Sequence, residues 1–176
     1  MFIVATVAHP LAADSARQRQ GKYLVFHLDR EEFGVQVLKV REIMGLQEIT
    51  AVPQTADFVK GVINLRGKVI PVIDLRLKFR MRSAEYTQRT CIIVLQVENE
   101  NGSMQVGVIV DGVSEVLTIQ EQEIENTPDF GDQVSLPYIL GMAKVKGKVK
   151  ILLDIDRVLS QQECDGLDRV MELGEQ

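Results

Sequence analysis

The stretch Gly61 to Phe79 reads GVINLRGKVIPVIDLRLKF, and Gly141 to Leu159 reads GMAKVKGKVKILLDIDRVL. In register the two share both glycines, the Lys-Val pair after the second glycine and the aspartate that follows. Each reads as two short strands around a tight turn, Arg66-Gly67 in one and Lys146-Gly147 in the other, where glycine supplies the positive φ. Asp74 and Asp154 each follow the second strand and precede a helical stretch. A carboxylate at that position accepts from the exposed amides of the first helical turn, so capping accounts for both without a catalytic role. Gly34 to Ile43 (GVQVLKVREI) and Gly107 to Val116 (GVIVDGVSEV) form a second matched pair, aligned on a glycine, three valines and the glutamate.

Working outward, Tyr23 to Asp29 alternates as a strand, with Leu24, Phe26 and Leu28 on one face, and Phe33 to Val37 returns as its hairpin partner. Helical spacing of Leu38, Lys39, Glu42 and Ile43 predicts a short helix or turn over Leu38 to Met44, ended by Gly45. Glu48 to Val52 reads as a third strand stopped by Pro53, and Ala56 to Lys60 as one helical turn. Polar Arg80 to Arg89 is a linker. Cys91 to Glu98 then restarts the pattern with Ile93, Leu95 and Val97 inward, followed by Met104 to Val110 and Ser114 to Ile119. The second copy is longer before its last hairpin, and the surplus around Glu121 to Ser135 predicts a surface loop.

Each unit thus holds about five short strands in roughly 60 residues, the scale of a small closed barrel. One such barrel buries little core, so two pseudo-equivalent ones are expected to pack together. The predicted fold is mainly β, with short helices at strand ends and a C-terminal helix. The predicted organisation is a disordered leader over 1–21 and one domain over 22–176. Within it, subdomain one covers about 33–89 plus closing elements, subdomain two about 90–153, a closing helix 154–162 and a tail 163–176.

Composition excludes several functions. The chain has 176 residues, 45% hydrophobic and 26% charged, with a formal net charge of -5. No basic run supplies the cationic face that a phosphate backbone requires, so nucleic acid is not an expected partner. Two distant cysteines and two histidines, His9 and His27, have no zinc-ligand or disulfide-framework spacing. No metal or cofactor is expected. Cys91, inside an apolar run, reads as a core residue. His27 lies on the outward face and its repeat counterpart is Gln96, which favours a surface role over general base chemistry. Met1 to Ala8 is apolar but lacks the basic flank of a secretory signal, and no stretch has the length of a membrane span, so direct insertion is not expected and the chain reads as cytoplasmic.

The runs GVQVLKVREI, GVINLRGKVIPVIDLRLKF and VGVIVDGVSEVL closely resemble the CheW-like domains of bacterial chemotaxis coupling proteins, over roughly Lys22 to Leu159. The resemblance implies two five-stranded SH3-like barrels. It further implies a non-catalytic adaptor that bridges the cytoplasmic tip of methyl-accepting membrane chemoreceptors to the regulatory domain of a CheA-type histidine kinase, recruited from the cytoplasm to receptor arrays.

The same resemblance places Val40, Glu42, Ile43 and Arg66 at the receptor contact. A turn arginine is ordinarily just solvated, whereas a fixed guanidinium can also make paired charge-assisted bonds. Lys146 holds the equivalent place in the second copy. The partners of Val40, Glu42 and Ile43 in the other copy are Val113, Glu115 and Val116, which argues for a folding role. Two branched aliphatics beside a carboxylate equally suit an interface with an apolar centre and polar rim. Val113 and Val116 are themselves candidates for a kinase or receptor interface. The alternatives are an enzyme with an unfamiliar site and a peptide- or ligand-binding barrel that scaffolds a different two-component system.

Overall fold

The computed structural model describes residues 19–126 and 137–174 of the chain. It opens with a hairpin of β1 (Gly21–Leu28) and β2 (Glu31–Gln36). A single 3-10 turn, Val37–Lys39, leads into β3 (Val40–Gly45). The helix expected over Leu38 to Met44 is therefore mostly strand: β3 hydrogen-bonds to a neighbour along its length, and that ladder overrides the local spacing. The hairpin β4 (Val59–Leu65) and β5 (Lys68–Asp74) ends in the four-residue α1 (Leu75–Lys78). The helical turn expected over Ala56 to Lys60 is a non-helical turn that runs straight into β4.

The second copy follows the same order, with β6 (Cys91–Asn99), β7 (Gly102–Val110) and β8 (Gly112–Ile119). The two-residue β9 (Ile124–Glu125), then β10 (Ile139–Val145), β11 (Lys148–Leu153) and α2 (Ile155–Val158) complete it. The loop expected over Glu121 to Ser135 lies largely outside the described residues, and its first residues form a 3-10 turn and β9. The leader expected over 1–21 likewise lies almost wholly outside them. Residues 163–176, expected as a tail, instead belong through Gly174 to α3 (Gln161–Gly174). Cys164, Leu167 and Val170 recur on one face of α3 and are buried, which supplies the anchoring that a polar tail would lack.

Two curled sheets result, one ordered β3-β6-β7-β5-β4 and the other β8-β1-β2-β11-β10-β9. Neither follows a sequential half of the chain. Barrel one takes β3, β4 and β5 from the first copy and β6 and β7 from the second. Barrel two takes β8 to β11 from the second copy and β1 and β2 from the first. Parallel pairings of β5 with β7 and β11 with β2 stitch the copies together inside each barrel. The subdomain boundary expected near residue 90 thus does not coincide with the sheets: the copies have exchanged hairpins.

Each barrel is closed by the chain leaving its edge strand. After β3, Thr50 exchanges two 2.9 Å backbone bonds with Val62 on β4; this single bridge is all that forms of the strand expected over Glu48 to Val52. After β8, β9 pairs with β10. The repeated glycines sit at these closures. A Cβ on Gly61, whose φ is +138°, would lie 2.0 Å from the Thr50 carbonyl oxygen, and one on Gly141 would lie 2.7 Å from Ile124 Cγ2. No side chain fits at either place without prising the barrel open.

Burial explains the sequence pattern of β6. Ile92 and Val94 fill barrel one with Ile63, Ile70 and Val72. Ile93, Leu95 and Val97 face the other way, into a larger core between the barrels with Leu24, Phe26 and Leu28. A strand covered on both faces reads as a continuous apolar run. Strand alternation predicts only Ile93, Leu95 and Val97 inside; in fact Ile92 and Val94 are buried as well. The inter-barrel core also takes in the buried face of α3, so the two barrels are fused across their largest apolar surface.

Candidate functional site

The Arg66-Gly67 turn has φ of +53° and +85°, so both central residues are left-handed, the geometry that matches strand twist in a two-residue hairpin. Asn64 Oδ1 accepts from Gly67 N at 2.8 Å and holds the turn. Arg66 reaches across the mouth of barrel one and donates from Nη2 to Glu42 Oε1 at 2.8 Å. Glu42 stands on β3 beyond a bulge between Val40 and Glu42. The structure therefore joins two of the four candidate residues directly.

Ile43 faces elsewhere. It is 46% exposed and lines a groove of about 850 Å³ between β3 of barrel one and β8 of barrel two, with Met44, His27, Cys91 and Val113. Val113 is 36% exposed. Neighbouring Val40 is partly buried and packs against the inter-barrel core. Val116 is exposed on β8, beyond the groove lining. In the second copy the turn lysine, Lys146, shares the left-handed backbone with φ of +54°. Among the described residues no ion pair joins it to Glu115; barrel two instead pairs Lys144 of β10 with Glu125 of β9 at 3.0 Å.

The groove has a charged end. Asp111, between β7 and β8, receives Arg76 Nε on both oxygens at 2.8 and 2.9 Å, and its Oδ2 also accepts from Asp29 N at 2.6 Å. Burial pushes the Asp111 carboxyl up, but the Arg76 hydrogen bonds and charge outweigh it and hold the group below the usual carboxylate range. The same bonds raise Arg76 further still. Burial pushes the Cys91 thiol up, away from reactivity. Asp74 caps α1 at Leu77 N, and Asp154 caps α2 at Asp156 N, as the repeat implies. The Tyr86 hydroxyl, pushed well up by burial, donates to Asp74 at 2.8 Å. Each perturbed group is thus accounted for by burial or a structural partner, and among the described residues no group of three His, Cys, Asp or Glu could hold a metal. What the surface offers is a shaped groove and a fixed guanidinium, which suit binding.

Sequence reasoning missed the groove and the Arg76–Asp111 pair. Arg76 was visible as the last residue of PVIDLR, yet Asp111 aligns with apolar Leu38 in the repeat, so nothing local marked the two as partners.

Comparison with known proteins places this geometry. Residues 22–163 match the CheW-like domain family. The chain is 39% identical over 167 residues to the chemotaxis protein CheW of Klebsiella aerogenes, covering 95% of this chain and 96% of that one. It is 36% identical to the chemotaxis protein CheW of Rhizobium meliloti, covering 80% and 88%. The crystal structure of the scaffolding protein TtCheW from Thermoanaerobacter tengcongensis superposes with a TM-score of 0.71 at 32% identity, covering 82% of this chain and 97% of that one.

Proposed function

The chain belongs to the CheW-like domain family, and from that premise we propose that it is a non-catalytic adaptor that couples membrane chemoreceptors to a CheA-type histidine kinase in bacterial chemotaxis signalling. The observation that carries the reading is the exposed Ile43–Val113 groove, reached along β3 from Glu42, the partner of Arg66 at the barrel mouth. Ile43 and Val113 would meet the cytoplasmic tip of the receptor in the groove, with Arg66 and Glu42 adding a separate charged contact at the mouth of barrel one and Val40 supporting β3 from beneath. Val116, outside the groove, would belong to a second contact, with the kinase regulatory domain.

An adaptor of this kind performs no bond-making. It raises the effective concentration of kinase at receptor and selects one relative orientation, so several modest contacts add to a firm assembly. No helix among the described residues is long and apolar enough to cross a membrane, and recruitment to the array would come through the receptor. The test is co-sedimentation of the purified chain with receptor-bearing membranes, with and without the kinase regulatory domain. Retention in both pellets, with the kinase domain retained only when the chain is present, supports the reading. Failure to sediment with receptor overturns it.

A further inference from the structure

The junction between the barrels is fastened twice, by the same construction with opposite polarity. At the first, Arg76 of α1 closes on Asp111, the residue where the chain crosses from β7 of barrel one to β8 of barrel two. That carboxylate also receives Asp29 N from the tip of the β1–β2 hairpin, and Asp29 Oδ1 lies 3.8 Å from Arg76 Nη2. At the second, the residue that aligns with Arg76 is Asp156 of α2. It pairs at 2.8 Å with Lys39, where the chain crosses from β2 of barrel two to β3 of barrel one. Asp156 Oδ1 also accepts from Glu98 N, near the tip of the β6–β7 hairpin, at 2.8 Å. In each case the closing helix of one barrel grips the hairpin of the other through the crossover, and the carboxylate sits on the crossover in the first and on the helix in the second.

We propose that the Arg76–Asp111 latch is a positioning element that sets the width of the inter-barrel groove between Ile43 and Val113. Asp111 and Asp29 line the groove themselves, and Val113 follows Asp111 by two residues on β8. Arg76 has only 14% of its side chain exposed and donates twice more, from Nη2 to Asp111 Oδ2 at 2.5 Å and from Nη1 to the Arg82 carbonyl at 3.0 Å, so its guanidinium is held on both sides. A planar fork locked in this way fixes direction as well as distance. Without it, this end keeps the chain crossover, the 2.9 Å bond from Asp111 N to the His27 carbonyl and apolar packing, which together resist separation far better than they resist sliding.

The consequence for recognition rests on the adaptor reading; the consequence for groove width does not. Spin labels on the exposed positions Lys68 of barrel one and Lys146 of barrel two, with Cys91 and Cys164 replaced by alanine, report the inter-barrel distance in the full chain. Arg76→Gln should broaden and shift that distribution, and Arg76→Lys, which keeps the charge but loses the fork, should do so partially. The double exchange Arg76→Asp with Asp111→Lys, which copies the polarity of the Asp156–Lys39 latch, should restore it. Affinity for a receptor-tip fragment should fall about tenfold with Arg76→Gln and recover in the double exchange. An unchanged distance distribution in folded Arg76→Gln or Arg76→Lys protein overturns the proposal, as does a double exchange that folds but stays broad. Should the wild-type chain not bind the receptor fragment, the adaptor reading falls, while the distance measurement still judges the latch.

Discussion

Arg66→Glu separates a binding role at the barrel mouth from a folding one. The arginine side chain is 76% exposed and its partner Glu42 27%. Losing such a pair costs about 0–1 kcal/mol. Opposing two carboxylates a few ångströms apart in a water-like medium adds about 1 kcal/mol. The total stays below about 2 kcal/mol, which for a chain of this length moves Tm by no more than about 8 °C. Binding to a receptor-tip fragment, measured by calorimetry, should fall much further, by about a hundredfold, because a paired guanidinium at an interface is replaced by a repelling charge. The reciprocal double variant Glu42→Arg with Arg66→Glu sharpens the test. It rebuilds the intramolecular pair and should regain Tm, yet it presents reversed charge to the partner and should stay defective in binding. Recovery of binding together with stability would mean that Arg66 matters only through Glu42, and a cooperative loss of structure in the single variant would make the residue architectural.

Further outcomes follow from other parts of the molecule. Ile43→Asp and Val113→Asp, both at exposed positions in the groove, should each weaken receptor-fragment binding by at least tenfold with Tm within about 4 °C of wild type, read by calorimetry and thermal unfolding. Gly61→Val should abolish soluble expression or destabilise by more than about 3 kcal/mol in urea, since its Cβ would fall 2.0 Å from the Thr50 carbonyl oxygen. Gly67→Ala, at a position open to solvent, should cost only the strain of its left-handed backbone, about 1 kcal/mol. The buried Lys150–Glu32 pair sits where barrel one has Ile70 and Gln105. The Lys150 hydrogen bond holds Glu32 below its ordinary value, so its stabilisation is intact above about pH 4.3 and is lost as pH falls through the lower, folded-state value. Glu32→Gln alone should destabilise by about 3 kcal/mol, whereas Glu32→Gln with Lys150→Ile should be neutral or stabilising and should flatten the acid limb of a urea-midpoint profile.

Hairpins, caps and the repeat were legible because each is written in neighbouring residues. The Arg66-Gly67 turn, the caps at Asp74 and Asp154 and the β1–β2 hairpin need nothing from afar, whereas Tyr23 and Val25, on the other face of β1 from Leu24 and Phe26, are buried by strands far along the chain. The exchange of hairpins was illegible for the opposite reason: alignment of two copies says that they are alike, not which copy a strand will pair with. β3 shows the same limit, since Leu38 to Met44 carries helical spacing and only the ladder to β6 makes it a strand. The continuous apolar run of β6 could have been read as a strand buried on both faces, which would have located the inter-barrel core. Of the site, Arg66 was visible by its turn. Ile43 and Val113 were named as candidates, but the groove between them is made by strands from different barrels and has no signature in either segment.

The hairpin exchange also sets a timetable for biosynthesis. Barrel one has all its strands once Val110 has left the ribosome, but β1 and β2, made earliest, gain β8 only after Ile119 and complete their sheet only after Leu153 has emerged. Through most of translation their apolar side chains, Tyr23, Phe26 and Phe33 among them, have no permanent housing. Nascent chains halted between those points carry a finished barrel and an orphaned ribbon, and are natural clients for chaperones and proteases.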